Sequence, residues 1–212
     1  MDLVDPRVER YADAHTTPLP PSIAIAAEYT RATSGASQMM SGLVESRVLE
    51  ALVVGTGARR VLELGTFTGV GAMALAERMA PGGTVITIES DPDTAEVARR
   101  HIAASPAADR IELLVGDARR LVRELDGPFD VVFLDAWKRD YIAYYDAVVP
   151  KLSARGLIVA DNVLRRGTVL EGGADGQELR DFNEHVTADP RTHNALLTIG
   201  DGLMLAWRSG DA

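Results

Sequence analysis

The sequence predicts an α/β fold built on a seven-stranded, mostly parallel sheet with helices on both faces. From residue 58 onward, short apolar runs alternate with amphipathic segments. That alternation is typical of parallel strands joined by right-handed crossovers. The runs are largely apolar, as expected for strands buried on both faces. The chain has 212 residues, the size of one medium domain, so we expect residues 1–212 to form a single domain.

The first 57 residues are predicted to be a helical cap on the core that occupies residues 58–212. Residues 24–31 form a short segment with an apolar face. Residues 39–54 predict a longer helix, which Gly55 and Gly57 end. Its apolar residues recur at roughly helical spacing: Met39, Leu43, Val48, Leu52 and Val53.

The core elements follow in a regular order. The predicted parallel strands are residues 61–64, 84–88, 111–115, 131–134 and 157–160. The predicted helices between them are residues 71–79, 92–104, 118–125 and 141–152. After a further helix over 181–186, the runs 195–199 and 203–207 flank a glycine turn. Two short strands around such a turn predict an antiparallel hairpin, so the last strand of the sheet is antiparallel.

Composition and charge exclude several classes of function. There are no cysteines, which removes disulfides, thiolate metal sites and cysteine nucleophiles. The net charge of −9 is the wrong sign for binding a nucleic-acid backbone. The N-terminus lacks the pattern of a signal peptide, and no run of 18 apolar residues occurs. We therefore expect a cytoplasmic protein that acts on small molecules, without nucleic-acid or membrane partners.

Five consecutive predicted strands carry a carboxylate at or beside their carboxyl ends. In an open parallel sheet this edge forms the ligand crevice, at the point where the strand order reverses. The alternative is that an acid caps the helix that follows it, an interpretation that suits one or two of the five. The five residues are Glu63, Glu89, Asp117, Asp135 and Asp161.

A glycine loop after the first strand predicts a nucleotide-type ligand. Its spacing from Gly65 to Gly71 is G-x-x-x-G-x-G, which differs from the dinucleotide-binding pattern, and the loop has no phosphate-binding lysine. Glu89, at the end of the second strand, is placed to accept hydrogen bonds from ribose hydroxyls. With Glu63 in the same crevice, these residues suit an adenosine ligand that also carries positive charge, such as S-adenosylmethionine. The alternative for the loop is an ordinary tight turn.

Asp135, Asp161 and Asn162 predict a site for a hard cation. If the fourth and fifth strands are neighbours, two carboxylates and a carboxamide converge without any histidine or cysteine. Magnesium is the default ion, and calcium or manganese also fit. Lys138 follows Asp135 by three residues, and a desolvated lysine beside a cation can act as a base. The alternatives are a turn at 161–162, a cap at Asp135 and a solvated, ion-paired lysine.

Taken together, five segments resemble the cation-dependent O-methyltransferases, the family of catechol and caffeoyl-CoA O-methyltransferases. They are residues 61–71, 84–89, 116–118, 133–138 and 160–162. The resemblance implies a class I methyltransferase fold of the Rossmann-like type, S-adenosylmethionine, a divalent cation and a homodimer. It also implies that Lys138 and Asp135 are catalytic and that Asp135, Asp161 and Asn162 bind the metal. The cofactor residues that it implies are Ser41, Glu63, Gly65, Thr66, Phe67, Gly71, Glu89, Asp117, Ala118 and Asp135. Ser41 matches the helix that closes over the methionine moiety.

Two departures from the family pattern concern the acceptor. Phe67 stands where the family often has tyrosine, and no glutamate lies near residues 195–196, before the final hairpin turn. The predicted function is methyl transfer from S-adenosylmethionine to a vicinal dihydroxy aromatic, with a divalent cation. Two alternatives are an NAD-dependent oxidoreductase, which leaves residues 161–162 unexplained, and a non-catalytic adenosine-binding module, which leaves Lys138 unexplained.

Overall fold

A seven-stranded mixed sheet organises the chain. The computed structural model describes residues 3–35, 40–171, 173–174 and 176–210. The strands are β1 (Arg60–Leu64), β2 (Thr84–Glu89), β3 (Ile111–Val115), β4 (Phe129–Leu134), β5 (Leu152–Ala160), β6 (Thr192–Leu197) and β7 (Leu203–Arg208). Their order across the sheet is β3-β2-β1-β4-β5-β7-β6. All pairs from β3 to β5 are parallel, and β7 is antiparallel to both its neighbours, so the predicted fold class is confirmed.

Helices cover both faces of this sheet. They are α1 (Pro6–Ala14), α2 (Pro21–Thr33), α3 (Leu43–Thr56), α4 (Val70–Glu77), α5 (Pro92–Ala103), α6 (Ala118–Glu124), α7 (Tyr141–Val148) and α8 (Gln177–Ala188). On one face, residues of α6, α7 and α8 pack against β4 and β5, with Tyr141 and Phe182 fully buried. On the other face, Leu49 of α3 and Leu75 of α4 pack against the strands. None of the helices in the described part of the chain has the length and apolar character to cross a membrane.

The strand order reverses between β1 and β4, and this places the crevice. The chain moves outward from β1 through β2 to β3, then returns to the other side of β1 as β4. The carboxyl ends of β1, β2, β4 and β5 therefore open onto one edge, where a ligand crevice is expected.

Most predicted helices have somewhat different boundaries in the structure: for example, the helix predicted over 181–186 is the longer α8. The helix predicted over 39–54 begins at Leu43 and continues through Gly55 to Thr56, with Gly57 left-handed at its end. Met39 lies outside the described residues. The helix predicted over 141–152 ends at Val148, followed by a 3-10 turn and then β5. Pro150 explains this end, because proline has no backbone N–H and cannot continue the α-helical hydrogen bonds.

Strand boundaries differ most near the edges of the sheet. β4 and β5 begin earlier than the apolar runs 131–134 and 157–160 that predicted them. β6 begins and ends earlier than the predicted strand 195–199. β3 was expected to be buried on both faces, yet none of its residues is fully buried and Val115 is 41% exposed. The reason is its position at the sheet edge, where one side has no neighbouring strand.

Candidate active site

Where β1 leads into α4, two glycines lie so close to neighbouring residues that no larger side chain would fit. Gly65 has a φ of 102°, and a Cβ there would collide with the backbone oxygen of Asp135. A Cβ on Gly71 would collide with the carboxyl group of Glu63. These contacts hold the loop against the end of β4, at the switch point of the sheet.

Most of the predicted cofactor residues line a single cleft at this loop. Phe133 of β4 and Met40, which precedes α3, line it as well. Ser41 lies in the segment before α3, not on a helix as predicted. The predicted residues that share the cleft are Ser41, Glu63, Gly65, Thr66, Phe67, Gly71 and Asp135.

Glu63 is a buried carboxyl group at the floor of the cleft. It is 1% exposed, and Thr87 Oγ1 donates a hydrogen bond of 2.5 Å to its Oε2. Thr66 Oγ1 lies 2.5 Å from the same Thr87 hydroxyl, which extends the network into the loop. Burial raises the pKa of Glu63 to about 8, with repulsion from Asp135 as a further cause. Glu63 is therefore poised to ionise near neutral pH and to favour a cationic ligand.

Glu89 organises the loop from the end of β2. Its Oε2 accepts a hydrogen bond of 2.8 Å from the Phe67 backbone N–H, and its Oε1 accepts from the N–H groups of Ser90 and Asp91 at 2.9 and 3.0 Å. A carboxylate has about four acceptor positions, so capacity for a ligand hydroxyl remains. Phe67 itself has a φ of 49°, which is strained for an aromatic residue. Strain of this kind often marks functional loops.

Asp117 and Ala118 lie apart from the lining of this cleft. Asp117 is the N-cap of α6: its carboxylate accepts a hydrogen bond of 2.8 Å from the Arg119 N–H. Its side chain is 53% exposed and forms an ion pair with Arg119. The capping alternative therefore accounts for Asp117. Ala118 is buried at the first position of α6.

Asp135, Asp161 and Asn162 come together at the ends of β4 and β5. The two strands pair with Leu134 opposite Ala160, so both aspartates leave the sheet at the same level. The Asp161 N–H donates to the Leu134 oxygen at 3.0 Å, and the Asn162 N–H donates to Asp161 Oδ1 at 2.6 Å. Asn162 has a φ of 59°, a conformation that asparagine tolerates better than most residues.

Lys138 lies between Asp135 and a buried tyrosine that sequence reasoning did not identify. Its Nζ donates to Asp135 Oδ1 at 2.7 Å and to the Tyr141 hydroxyl at 2.8 Å. That hydroxyl is within hydrogen-bond distance of the backbone oxygens of Leu134 (2.8 Å) and Asp161 (3.0 Å). Tyr141 thus positions the lysine and joins the ends of β4 and β5.

Glu45 is the second site residue that the sequence did not indicate. It lies in the first turn of α3, and its carboxyl group faces that of Asp161. Glu45 Oε1 is buried and receives no hydrogen bond from an N–H or hydroxyl group of the described residues; the Asp161 carboxyl group is its neighbour. Burial raises the pKa of Glu45, Asp135 and Asp161, most strongly that of Asp161, where repulsion from the other two adds to it.

The donor set suits a divalent cation. The carboxyl groups of Glu45, Asp135 and Asp161 crowd the ends of β4 and β5, and among the described residues Lys138 attracts all three. Glu45 Oε1 is buried without a hydrogen-bond donor, which adds to the excess of negative charge at this site. In the part of the chain that the structure describes, no three His, Cys, Asp or Glu side chains converge closely enough to hold an ion by themselves. A cation held at the ends of β4 and β5 would need an oxygen ligand besides the carboxyl groups, and the side chain of Asn162 is of a type that could supply one.

Trp137 lies between Asp135 and Lys138 in the chain and is exposed. Its side chain is 63% exposed, and the Arg139 guanidinium lies 5.3 Å from its ring centroid. The exposure shows that this tryptophan is not a core residue.

Comparisons with known proteins agree with this geometry. Residues 18–209 match the sequence profile of a family described as O-methyltransferase. The chain is 40% identical over 161 residues to a protein from Mycobacterium tuberculosis named catechol O-methyltransferase, covering 70% of this chain and 71% of that one. It is 32% identical to an O-methyltransferase from Aspergillus thermomutatus, covering 93% and 91%. Among solved structures, an SAH-bound methyltransferase from Podospora anserina superposes with a TM-score of 0.89 at 27% identity, covering 96% and 94%.

Proposed function

The chain belongs to the O-methyltransferase family, and from this premise we propose that it methylates a vicinal dihydroxy aromatic with the help of a divalent cation. The methyl donor is S-adenosylmethionine, since solved structures similar to this chain are complexes with SAM or SAH. The observation that carries the proposal is the cluster of Asp135, Asp161 and Asn162 beside Lys138.

The cleft at the β1–α4 loop is suited to the methyl donor. S-adenosylmethionine supplies a methyl group on a positively charged sulfonium, next to a cationic amino group. The buried carboxyl group of Glu63 offers the opposite charge at the cleft floor. Glu89 offers the remaining acceptor positions of its carboxylate to the ribose hydroxyls. Gly65 and Gly71 let the chain lie close against Asp135 and Glu63, which keeps the cleft beside these two carboxyl groups.

Asp135, Asp161 and Asn162 would hold the cation, for which magnesium is the first candidate and manganese or calcium are alternatives. A bound divalent cation supplies charge that lowers the pKa of a coordinated phenolic hydroxyl. Lys138 would accept the hydroxyl proton at Nζ after giving up its own proton to solvent, from a position that Tyr141 fixes. A cation held by Asp135 would weaken the ion pair between Asp135 and Lys138 and so favour the neutral lysine.

The remaining requirement is alignment of the two substrates. The acceptor oxygen must lie about 3 Å from the methyl carbon, in line with the bond that breaks. The leaving thioether is neutral, so no acid is needed to assist it. The cofactor cleft and the cation cluster share Asp135, which lines the first and belongs to the second. That shared residue brings the methyl group and the acceptor side by side.

The names of two groups of relatives support a phenolic acceptor. Relatives named catechol O-methyltransferase and probable caffeoyl-CoA O-methyltransferase are 40% and 27% identical to this chain. Trp137 is exposed and offers a flat aromatic wall for such a ring. A homodimer is part of the proposal, because α1 and α2 expose the apolar side chains of Val8, Tyr11 and Ile25.

The test compares three phenolic acceptors that differ in the number or the position of their hydroxyl groups. Catechol, resorcinol and phenol are each incubated with the purified protein, S-adenosylmethionine and Mg²⁺, and the methylated products are quantified by mass spectrometry. We expect methylation of catechol, with resorcinol and phenol at least about 100-fold slower because neither can chelate a cation through adjacent oxygens. Equal rates on catechol and phenol would contradict the chelation mechanism while leaving the methyltransferase assignment intact.

A further inference from the structure

Glu45 lies where the N-terminal cap meets the cation side of the crevice. It is the third residue of α3, and the segment just before this helix lines the cofactor cleft through Met40 and Ser41. Its carboxyl group faces Asp161 at the end of β5 and lies within electrostatic reach of Asp135 and Lys138. One residue thus connects α3 to both strands of the proposed cation site.

The hydrogen bond that Glu45 accepts within its own helix uses only one of its two carboxylate oxygens. Oε2 accepts a long hydrogen bond of 3.3 Å from the Gly42 N–H, as in a capping box. Oε1 is buried, receives no hydrogen bond from an N–H or hydroxyl group of the described residues, and faces the carboxyl group of Asp161. By contrast, Glu50 on the same helix has an ordinary ion pair with Arg47. Two carboxyl groups this close repel each other when both are ionised, and a cation beside them relieves that repulsion.

We infer that Glu45 is a third carboxylate of the cation site and that it raises cation affinity through its negative charge. The inference deepens the proposed function and rests on it. In the described residues Glu45, Asp135 and Asp161 do not converge closely enough to hold an ion by themselves. Glu45 therefore acts from behind Asp161, as an outer residue whose Oε1 can accept a hydrogen bond from water of the cation's hydration shell. Outer residues of this kind are typically worth 10–100-fold in metal affinity.

This role has a consequence for the cap. Because Glu45 belongs to α3, a cation near Asp161 is attracted to the cap as well as to the sheet. α3 also leads out of the segment that borders the cofactor cleft. The charge of Glu45 therefore helps to keep the N-terminal end of α3 beside both halves of the site.

The test measures cation binding without S-adenosylmethionine or acceptor, so it does not depend on turnover. Mn²⁺ is titrated calorimetrically into the full-length protein, into Glu45→Gln, and into the control Glu50→Gln. Glu45→Gln keeps the shape and an oxygen able to cap Gly42 but removes the charge. We expect its Mn²⁺ affinity to fall about 10–100-fold, with Glu50→Gln unchanged. Wild-type affinity in Glu45→Gln would overturn the inference alone, whereas a wild-type protein that binds no Mn²⁺ would overturn the proposed cation dependence with it.

A second variant keeps the inference testable if Glu45→Gln fails to fold. Glu45→Asp retains the charge but shortens the side chain, and the rise in melting temperature on adding Mn²⁺ reports binding through linkage. We expect Glu45→Asp to retain most of this rise and Glu45→Ala to lose most of it. Equal rises in Glu45→Asp and Glu45→Ala would show that the charge has no part in binding the cation.

Discussion

The two halves of the active site are built in different ways. In the cofactor half, formed by β1, β2 and the β1–α4 loop, the acids already have donors: Glu89 accepts from three backbone N–H groups and Glu63 from Thr87. In the cation half, at the ends of β4 and β5 and the first turn of α3, the acids also accept hydrogen bonds, but Asp161 and Glu45 face each other as well. The cofactor half is complete as folded, whereas the cation half has an excess of negative charge.

This difference separates what each half needs in order to work. Backbone donors and glycines shape the cofactor half, so its affinity for S-adenosylmethionine should depend little on added metal. The cation half crowds three carboxyl groups around one lysine, and such an arrangement favours binding of positive charge. Variants in the cofactor half should therefore weaken binding of S-adenosylmethionine, whereas variants in the cation half should lower turnover.

The largest effect is expected for Asp161→Ala. It removes a proposed ligand from the centre of the carboxyl cluster, so turnover should fall about 10⁴-fold or more, because a cation contributes several kcal/mol to charge stabilisation. Rates on catechol with excess Mg²⁺ are the measurement, and calorimetry should show near-normal binding of S-adenosylmethionine. Asp5→Ala, which removes an exposed aspartate that caps α1, is the matched control and should keep turnover. Normal turnover in Asp161→Ala would remove Asp161 from the metal ligands.

Lys138→Ala should lower kcat by about 10²–10⁴ if the lysine is the base. Lys138→Arg should not restore it, because a guanidinium stays protonated and cannot accept the proton. Affinity for S-adenosylmethionine should change little, since Lys138 does not line the cofactor cleft. Steady-state kinetics on catechol at pH 7.5 decide the question. A near wild-type kcat in Lys138→Ala would make the lysine a structural partner of Asp135.

Glu63 predicts a pH dependence of stability. Its folded pKa of about 8 lies above its ordinary value of 4.5, so the unfolded chain loses this proton first as pH rises. The stabilising contribution is therefore full below about pH 4.5 and is lost as pH rises through 8. Without ligand, the free energy of unfolding should fall from pH 5 to pH 8 by on the order of 3 kcal/mol more in wild type than in Glu63→Gln. Parallel pH profiles from urea denaturation would show that Glu63 is already ionised at pH 5.

The smallest effect is expected for Glu89→Gln. The amide replaces one acceptor oxygen with a donor that meets the backbone N–H groups of the loop, and it removes the charge that ribose hydroxyls would contact. Affinity for S-adenosylmethionine should fall by about 1.5–3 kcal/mol, the usual range for a charged hydrogen bond. Glu112→Gln on the exposed face of β3 is the matched control. Unchanged affinity by calorimetry would exclude Glu89 from the ribose site.

The fold was predictable from local pattern. Alternating apolar runs and glycine turns mark each strand within a few residues, and the order of strands and helices restricts the topology. The errors lie where a strand lacks a buried face, as in β3, or where proline ends a helix early, as after α7. The predicted oxidoreductase and binding-module alternatives are replaced by the family assignment.

The candidate site was predictable only where its residues follow strands. Asp135, Asp161 and Asn162 stand at strand ends, where topology alone brings them together. Glu45 and Tyr141 lie on helices, and nothing in the sequence around either residue distinguishes it from other helical residues. Their roles arise from contacts with the end of β5, which no local pattern encodes.

The most direct measurement of the central claim is methyl transfer to catechol by protein stripped of metal with EDTA and then given Mg²⁺. Binding of S-adenosylmethionine is followed calorimetrically in the same samples. The account predicts no turnover in chelator, full recovery with Mg²⁺ or Mn²⁺, and similar S-adenosylmethionine affinity throughout. Full turnover in chelator would contradict it, because the carboxyl cluster at the ends of β4 and β5 would then have no cation to bind during catalysis.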